Sequence, residues 1–216
     1  MQRFDFIKNE NNFFGYTLFL PDGYTEEKTY PLILALHGAG ERGNGTDELE
    51  RGTHIGLGGY LKRKSMNVDA IVLCPQCPKD RVWNHLIFDL KKLLDSIVDT
   101  YSVDKDRVTV TGMSMGGFGT WEMGMMFPET FAALAPVCGG GMAWRTEALK
   151  DIPIWSFHGD RDNVVDISNS VEMVNRARAA GSDVKFTVFN GVAHASWDPA
   201  YLDTNVVNWL ISQKKK

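Results

Sequence analysis

Short apolar, β-branched runs alternate along the chain with longer stretches in which apolar positions recur every three to four residues. The short runs cover residues 15–20, 32–36, 70–74, 108–111, 131–137, 154–157 and 184–189. Runs of this kind suit strands buried on both faces, and their alternation with helical patterns predicts a mostly parallel α/β sheet of about seven to eight strands. The first run ends at Pro21-Asp22-Gly23 and is expected to form one arm of an antiparallel edge.

Between the runs, Leu86, Ile87, Leu90, Leu93, Leu94, Ile97, Val98 and Tyr101 follow one another at one-, three- and four-residue steps. That spacing places them on one face of a helix of about four turns, which must pack on the sheet. A helix is also expected after residue 114, stopped by Pro128, and two more around 171–180, ended by Gly181, and around 202–211.

A chain of 216 residues suits one domain, 1–216, large enough to bury a full sheet with helices on both faces. Its 44% hydrophobic content, 23% charged content and net charge of −4 are those of an ordinary globular protein, with no basic field to hold nucleic acid. The closing Lys214-Lys215-Lys216 reads as a solvated tail. No membrane partner is expected, because no apolar segment approaches spanning length. The first eight residues lack a signal peptide's apolar run, and three cysteines do not make a disulfide framework. The expected location is cytoplasmic. Oligomeric state leaves no mark in the sequence.

The strongest chemical signal is Gly112-Met113-Ser114-Met115-Gly116, directly after a β-branched run. A strand-to-helix turn of G-x-S-x-G form needs glycines two residues either side of the serine, where a Cβ would collide, and it lifts the hydroxyl clear of the sheet. A serine hydroxyl is a weak nucleophile that needs a base, and the base needs a carboxylate to fix its tautomer. His194 follows the last predicted strand and is the expected base; His37, His54, His85 and His158 are expected to be structural. For the acid, Asp162 and Asp160 compete in the loop after residue 157. Asp160 directly follows a glycine and suits a turn cap, so Asp162 is preferred.

Developing negative charge on a substrate oxygen calls for backbone N–H groups. Ala39, in the glycine-rich stretch Leu36-His37-Gly38-Ala39-Gly40-Glu41-Arg42-Gly43, and Met115 are the expected donors. The glycines at 38, 40, 43 and 45 fit neither phosphate-loop spacing. Cys74-Pro75-Gln76-Cys77 has the outline of a zinc or redox pair, but only Cys138 remains to complete a site, so a structural role is expected. Gln76, Trp83 and Trp197 are candidate substrate contacts, with buried core the competing reading for Trp83.

With these motifs together, the chain resembles α/β-hydrolases, and more narrowly the lidless bacterial proteins labelled phospholipase/carboxylesterase or predicted peptidase, related to the catalytic domain of prolyl oligopeptidase. Leu20-Pro-Asp-Gly-Tyr24, Ala135-Pro-Val-Cys-Gly-Gly140, His158-Gly-Asp-Arg-Asp162 and Gly191-Val-Ala-His-Ala-Ser-Trp197 carry the likeness beside the stretches above. The resemblance implies Ser114 as nucleophile, His194 as base, Asp162 as acid, and no metal or organic cofactor. It implies a serine carboxylesterase for short-chain or aryl esters, with a small-molecule ester as partner. Peptidase, amidase and thioesterase chemistry share the same site, and a non-catalytic ligand-binding protein of the same fold is the remaining alternative.

Overall fold

The computed structural model describes residues 3–8 and 14–215. Lys216, the end of the basic tail, lies outside them, as do the first two residues. The strands are β1 (Arg3–Ile7), β2 (Tyr16–Leu20), β3 (Tyr30–Leu36), β4 (Ile71–Pro75), β5 (Val103–Met113), β6 (Ala133–Val137), β7 (Ile154–Gly159) and β8 (Val184–Phe189). They form one sheet in the order β1-β2-β4-β3-β5-β6-β7-β8. Pairing is antiparallel for β1 with β2 and β2 with β4, and parallel from β4 onward.

All seven predicted runs are strands. The outermost strand, β1, was not expected; it pairs antiparallel with β2, which is one arm of an antiparallel edge as expected. Arg3-Phe4-Asp5-Phe6-Ile7 alternates charge with aromatic residues, a pattern that half-exposed edge strands tolerate and that guards against further pairing.

The helices are α1 (Gly56–Lys62), α2 (Ile87–Thr100), α3 (Met115–Met126), α4 (Ser168–Ala179), α5 (Trp197–Leu202) and α6 (Val206–Ser212). The sheet is covered on both sides. Within β3, Leu32, Leu34 and Leu36 pack with α2, α3 and α4, whereas Ile33 and Ala35 point the other way, among residues of α1, α5 and α6. This period of two buried on both faces explains why the strand runs are almost wholly apolar. Each fully buried leucine or isoleucine there contributes roughly 1.5–3 kcal/mol.

Two helical expectations are corrected. The closing helix is two helices, because the Thr204 hydroxyl donates to the Ala200 carbonyl at 2.6 Å and accepts the Val206 amide at 3.1 Å, ending one helix and starting the next. The glycine-rich α1 had no periodic signal. Between β6 and β7 the chain contains a 3-10 segment, Ala143–Leu149, and no lid domain. Among the described residues, no helix is long and apolar enough to cross a membrane.

Candidate active site

The parallel strands present their carboxyl ends on one side of the sheet, and the candidate residues gather there. Ser114 sits between β5 and α3 with φ 55° and ψ −119°, a conformation that non-glycine residues rarely adopt. It is held by two backbone hydrogen bonds: its amide donates to the Val137 carbonyl at 2.9 Å, and its carbonyl accepts the Phe118 amide at 3.1 Å. A Cβ on Gly112 would lie 2.4 Å from the Gly116 carbonyl oxygen, and one on Gly116 would lie 2.1 Å from that of Leu36. The spacing of the motif is thus a steric requirement of the turn.

The loops after β7 and β8 bring Asp162 and His194 to this serine. His194 Nδ1 donates to Asp162 Oδ2 at 2.7 Å, which leaves Nε2 unprotonated and facing Ser114 Oγ at 2.9 Å. The Asp162 side chain is fully buried and that of His194 is 19% exposed. Burial alone would raise the Asp162 carboxyl, but hydrogen bonds from His194 and from the Val165 and Val164 amides outweigh it and hold the carboxyl below its ordinary range. Asp160 is turned elsewhere, and its Oδ1 accepts the Gly191 amide at 2.6 Å.

The stretch after β3 packs against the elbow. A Cβ on Gly38 would stand 3.7 Å from Ser114 Cβ. His37 anchors this loop: Nδ1 donates to the Gly38 carbonyl at 2.6 Å, Nε2 accepts the Cys77 amide at 3.0 Å, and its carbonyl accepts Trp83 Nε1 at 2.9 Å. Burial, the largest influence, pushes the His37 imidazole down to about 4, in keeping with this neutral tautomer. Ala39 opens an exposed 3-10 turn beside it. Met115 opens α3, whose first amides have no acceptor within the helix.

Residues 3–201 match a single family. The chain belongs to the dienelactone hydrolase family. This member is similar to a bifunctional acetylxylan esterase/xylanase of Neocallimastix patriciarum, 30% identical over 90 residues, which are 42% of this chain and 12% of that protein. It is similar also to a probable feruloyl esterase C of Aspergillus terreus, 26% identical over 165 residues, 74% of this chain and 59% of that one. The crystal structure of a thermostable esterase superposes with a TM-score of 0.83 at 33% identity, covering 99% of this chain and 63% of that chain. The chain therefore spans less than two thirds of each of these proteins.

Not every candidate substrate contact of this dienelactone hydrolase family member faces the opening. Gln76 is 1% exposed and acts as a strut: Oε1 accepts the Gly45 amide at 2.9 Å, while Nε2 donates to the Glu48 and Glu41 carbonyls at 2.7 and 3.2 Å. Trp83 is fully buried in the core, its indole N–H spent on His37. Both expectations are corrected, because the polar atoms that suggested substrate contact are consumed by backbone partners. Trp197 does border the site, its ring edge-to-face with His194 at 5.4 Å. Trp197 opens α5, which is tied down by the Tyr60 hydroxyl donating to Asp198 Oδ1.

Cys74 and Cys77 do not form a pair. They belong to the core on opposite faces of the sheet, and burial pushes both thiols up to about 12. His158, assigned no chemistry from the sequence, stands directly behind Asp162, with Nε2 3.2 Å from Oδ2. Its only sequence signal was its position four residues before that aspartate.

Proposed function

We propose that this protein is a serine carboxylesterase that hydrolyses short-chain or aryl esters through an acyl-enzyme on Ser114. The observation that carries the reading is the unbroken hydrogen-bonded line from Ser114 Oγ through His194 to the buried Asp162. His194 Nε2 takes the hydroxyl proton as Oγ attacks the ester carbonyl, and Asp162 stabilises the imidazolium. The amides of Ala39 and Met115 face the developing oxyanion. The imidazolium then returns its proton to the leaving alcohol, and water activated by the same imidazole releases the acid.

Two further features favour short or aryl acyl groups. The segment between β6 and β7 holds no lid domain, and the loops after β6 and β7 carry exposed Met142, Trp144 and Val164 at the carboxyl end of the sheet. Relatives named as acetylxylan and feruloyl esterases favour a short acetyl or an aryl feruloyl acyl group, and the first an ester of a sugar. The test is twofold. A fluorophosphonate should label the wild-type protein and spare Ser114→Ala. A panel of p-nitrophenyl esters, feruloyl sugar esters, acetylated xylo-oligosaccharides and a peptide should then place turnover on the esters. An unlabelled wild-type protein returns the chain to the ligand-binding alternative, and turnover confined to the peptide makes it a peptidase.

A further inference from the structure

The reaction proposed above makes no use of the buried histidine behind its acid. His158, near the end of β7, is fully buried. Its Nε2 lies 2.9 Å from the Val165 carbonyl oxygen and 3.2 Å from Asp162 Oδ2. Both neighbours are acceptors, so Nε2 carries a proton; its hydrogen bond goes to the Val165 carbonyl, and Asp162 Oδ2 lies beside it in ion-pair range. On the other side of the ring, Nδ1 lies 2.7 Å from the hydroxyl of Ser170, a buried residue of α4 whose one proton serves two acceptors, Nδ1 and the Gly139 carbonyl oxygen, also at 2.7 Å.

Asp162 accepts three hydrogen bonds, and the His158 ring stands against its remaining side. Oδ1 accepts the Val164 and Val165 amides at 2.9 and 3.0 Å, and Oδ2 stands between His194 and His158. The contacts also close on themselves. Gly139 packs so tightly on the nucleophile helix that a Cβ there would lie 2.5 Å from the Gly117 carbonyl carbon. A ring of contacts therefore runs from Ser114 along α3 to Gly139, Ser170, His158, Asp162 and His194, and back to Ser114 Oγ.

We propose that His158 is a positioning residue for the triad acid: anchored by Ser170, it holds the Asp162 carboxylate in the place His194 requires and shares its Oδ2 with that base. This rests on the esterase reading above. Sharing the oxygen spreads the carboxylate's charge over two imidazoles and lowers its hold on the proton that His194 gains in the reaction.

The titratable groups around His158 come from four elements. Asp162 follows its own strand, and His194 follows β8. Cys138 follows β6, with a thiol that burial pushes up to about 12 and leaves uncharged. Asp166 precedes α4, its carboxyl held below the ordinary range chiefly by hydrogen bonds from Ser168, with a smaller contribution from His158. Of these, Asp162 is the carboxylate within contact distance.

Two amide replacements separate the contacts of the ring. His158→Asn keeps a polar group where Nδ1 meets Ser170 and is too short to reach Asp162, whereas His158→Gln extends its amide toward the place of Nε2. With active sites counted by fluorophosphonate titration, His158→Asn should lose about ten- to a hundredfold in kcat at nearly unchanged KM. The acid limb of its kcat/KM profile should move to higher pH by about half a unit to one unit, because Oδ2 then turns its full charge on His194. His158→Gln should restore the limb and part of kcat. Should neither variant fold, Ser170→Ala, which leaves the imidazole and removes its anchor, should move kcat and the limb in the same directions by less. A folded His158→Asn or Ser170→Ala with wild-type kcat and limb overturns the proposal, as does a loss of activity wholly matched by lost titratable sites with an unmoved limb. Failure of the esterase reading looks different: the wild-type protein takes no label, or Ser114→Ala keeps its activity.

Discussion

Gly116 approaches Leu36 so closely that a Cβ on the glycine would lie 2.1 Å from the Leu36 carbonyl oxygen. The contact joins the start of α3 to the end of β3, and so sets the Ser114 turn against the loop that carries Ala39. Because the obstacle is backbone, rotamer changes cannot relieve it. Gly116→Ala should therefore cost at least the upper end of the about 1–3 kcal/mol typical of overpacking, read as a lowered midpoint in urea unfolding, and should abolish fluorophosphonate labelling. A variant with wild-type stability and labelling would mean that the turn relaxes easily.

The two aspartates of the β7 loop should separate in kinetics. Ser114→Ala and His194→Ala are expected to lower kcat by about a millionfold, and Asp162→Asn by about ten-thousandfold through loss of the tautomer that frees Nε2. Asp160→Asn removes charge from a side chain bonded to the Gly191 amide, outside the triad, and should change kcat by less than about tenfold. Comparable losses in the two Asn variants would make the acid assignment untenable.

Stability should fall in mild acid, and His37 is a main cause. Burial lowers its folded value to about 4 from an ordinary 6.5, so between those two values the unfolded chain binds a proton that the folded one refuses. The stabilisation is complete above the unfolded value and is lost as pH falls toward the folded one, by about 3 kcal/mol in all. Asp162 adds to this at lower pH: its depressed carboxyl contributes stability above its unfolded value of about 3.9 that is lost as pH falls through the folded one. Urea unfolding from pH 7 to pH 4 should follow this slope, and His37→Gln should flatten it.

Gln76 should matter through the loop it braces. Gln76→Ala leaves the Gly45 amide and the Glu41 and Glu48 carbonyls without their partner, at a cost of about 1–3 kcal/mol for a buried unsatisfied group. Thermal unfolding should register that loss, while KM for a small p-nitrophenyl ester should stay within about twofold, as the side chain does not face the opening. A large KM effect without loss of stability would restore Gln76 as a substrate contact.

Acyl-chain length provides a check on the open site. Each buried methylene is worth about 0.8 kcal/mol, and the segment between β6 and β7, with only a short 3-10 stretch, supplies no lid to bury them. Acetyl to butyryl esters should be turned over best, with little activity on long-chain triglycerides and no activation at a lipid interface. A kcat/KM that climbed steadily from butyryl to dodecanoyl esters would require a long apolar groove.

What the sequence alone determined is what rests on neighbours a few residues apart. Gly112, Ser114 and Gly116 announce the elbow because a Cβ at either glycine meets backbone, a constraint set by the turn itself. The apolar runs announce the central strands because burial on both faces leaves no polar positions, and the facing residues of α2 announce that helix by their period. The tertiary structure decided whatever depends on chain segments that meet only after folding. Asp162 and His194 are 32 residues apart, and His194 and Ser114 are 80 apart, so the local turn pattern favoured Asp162 over Asp160 but could not show which carboxylate meets the histidine. The same holds for Gln76 and Trp83, whose polar atoms looked free for substrate until the loops after β3 closed over them. It holds for β1, whose alternating charges resemble a solvated segment until β2 lies beside it, and for His158, whose role arises only where β7, α4 and the β8 loop converge on one carboxylate.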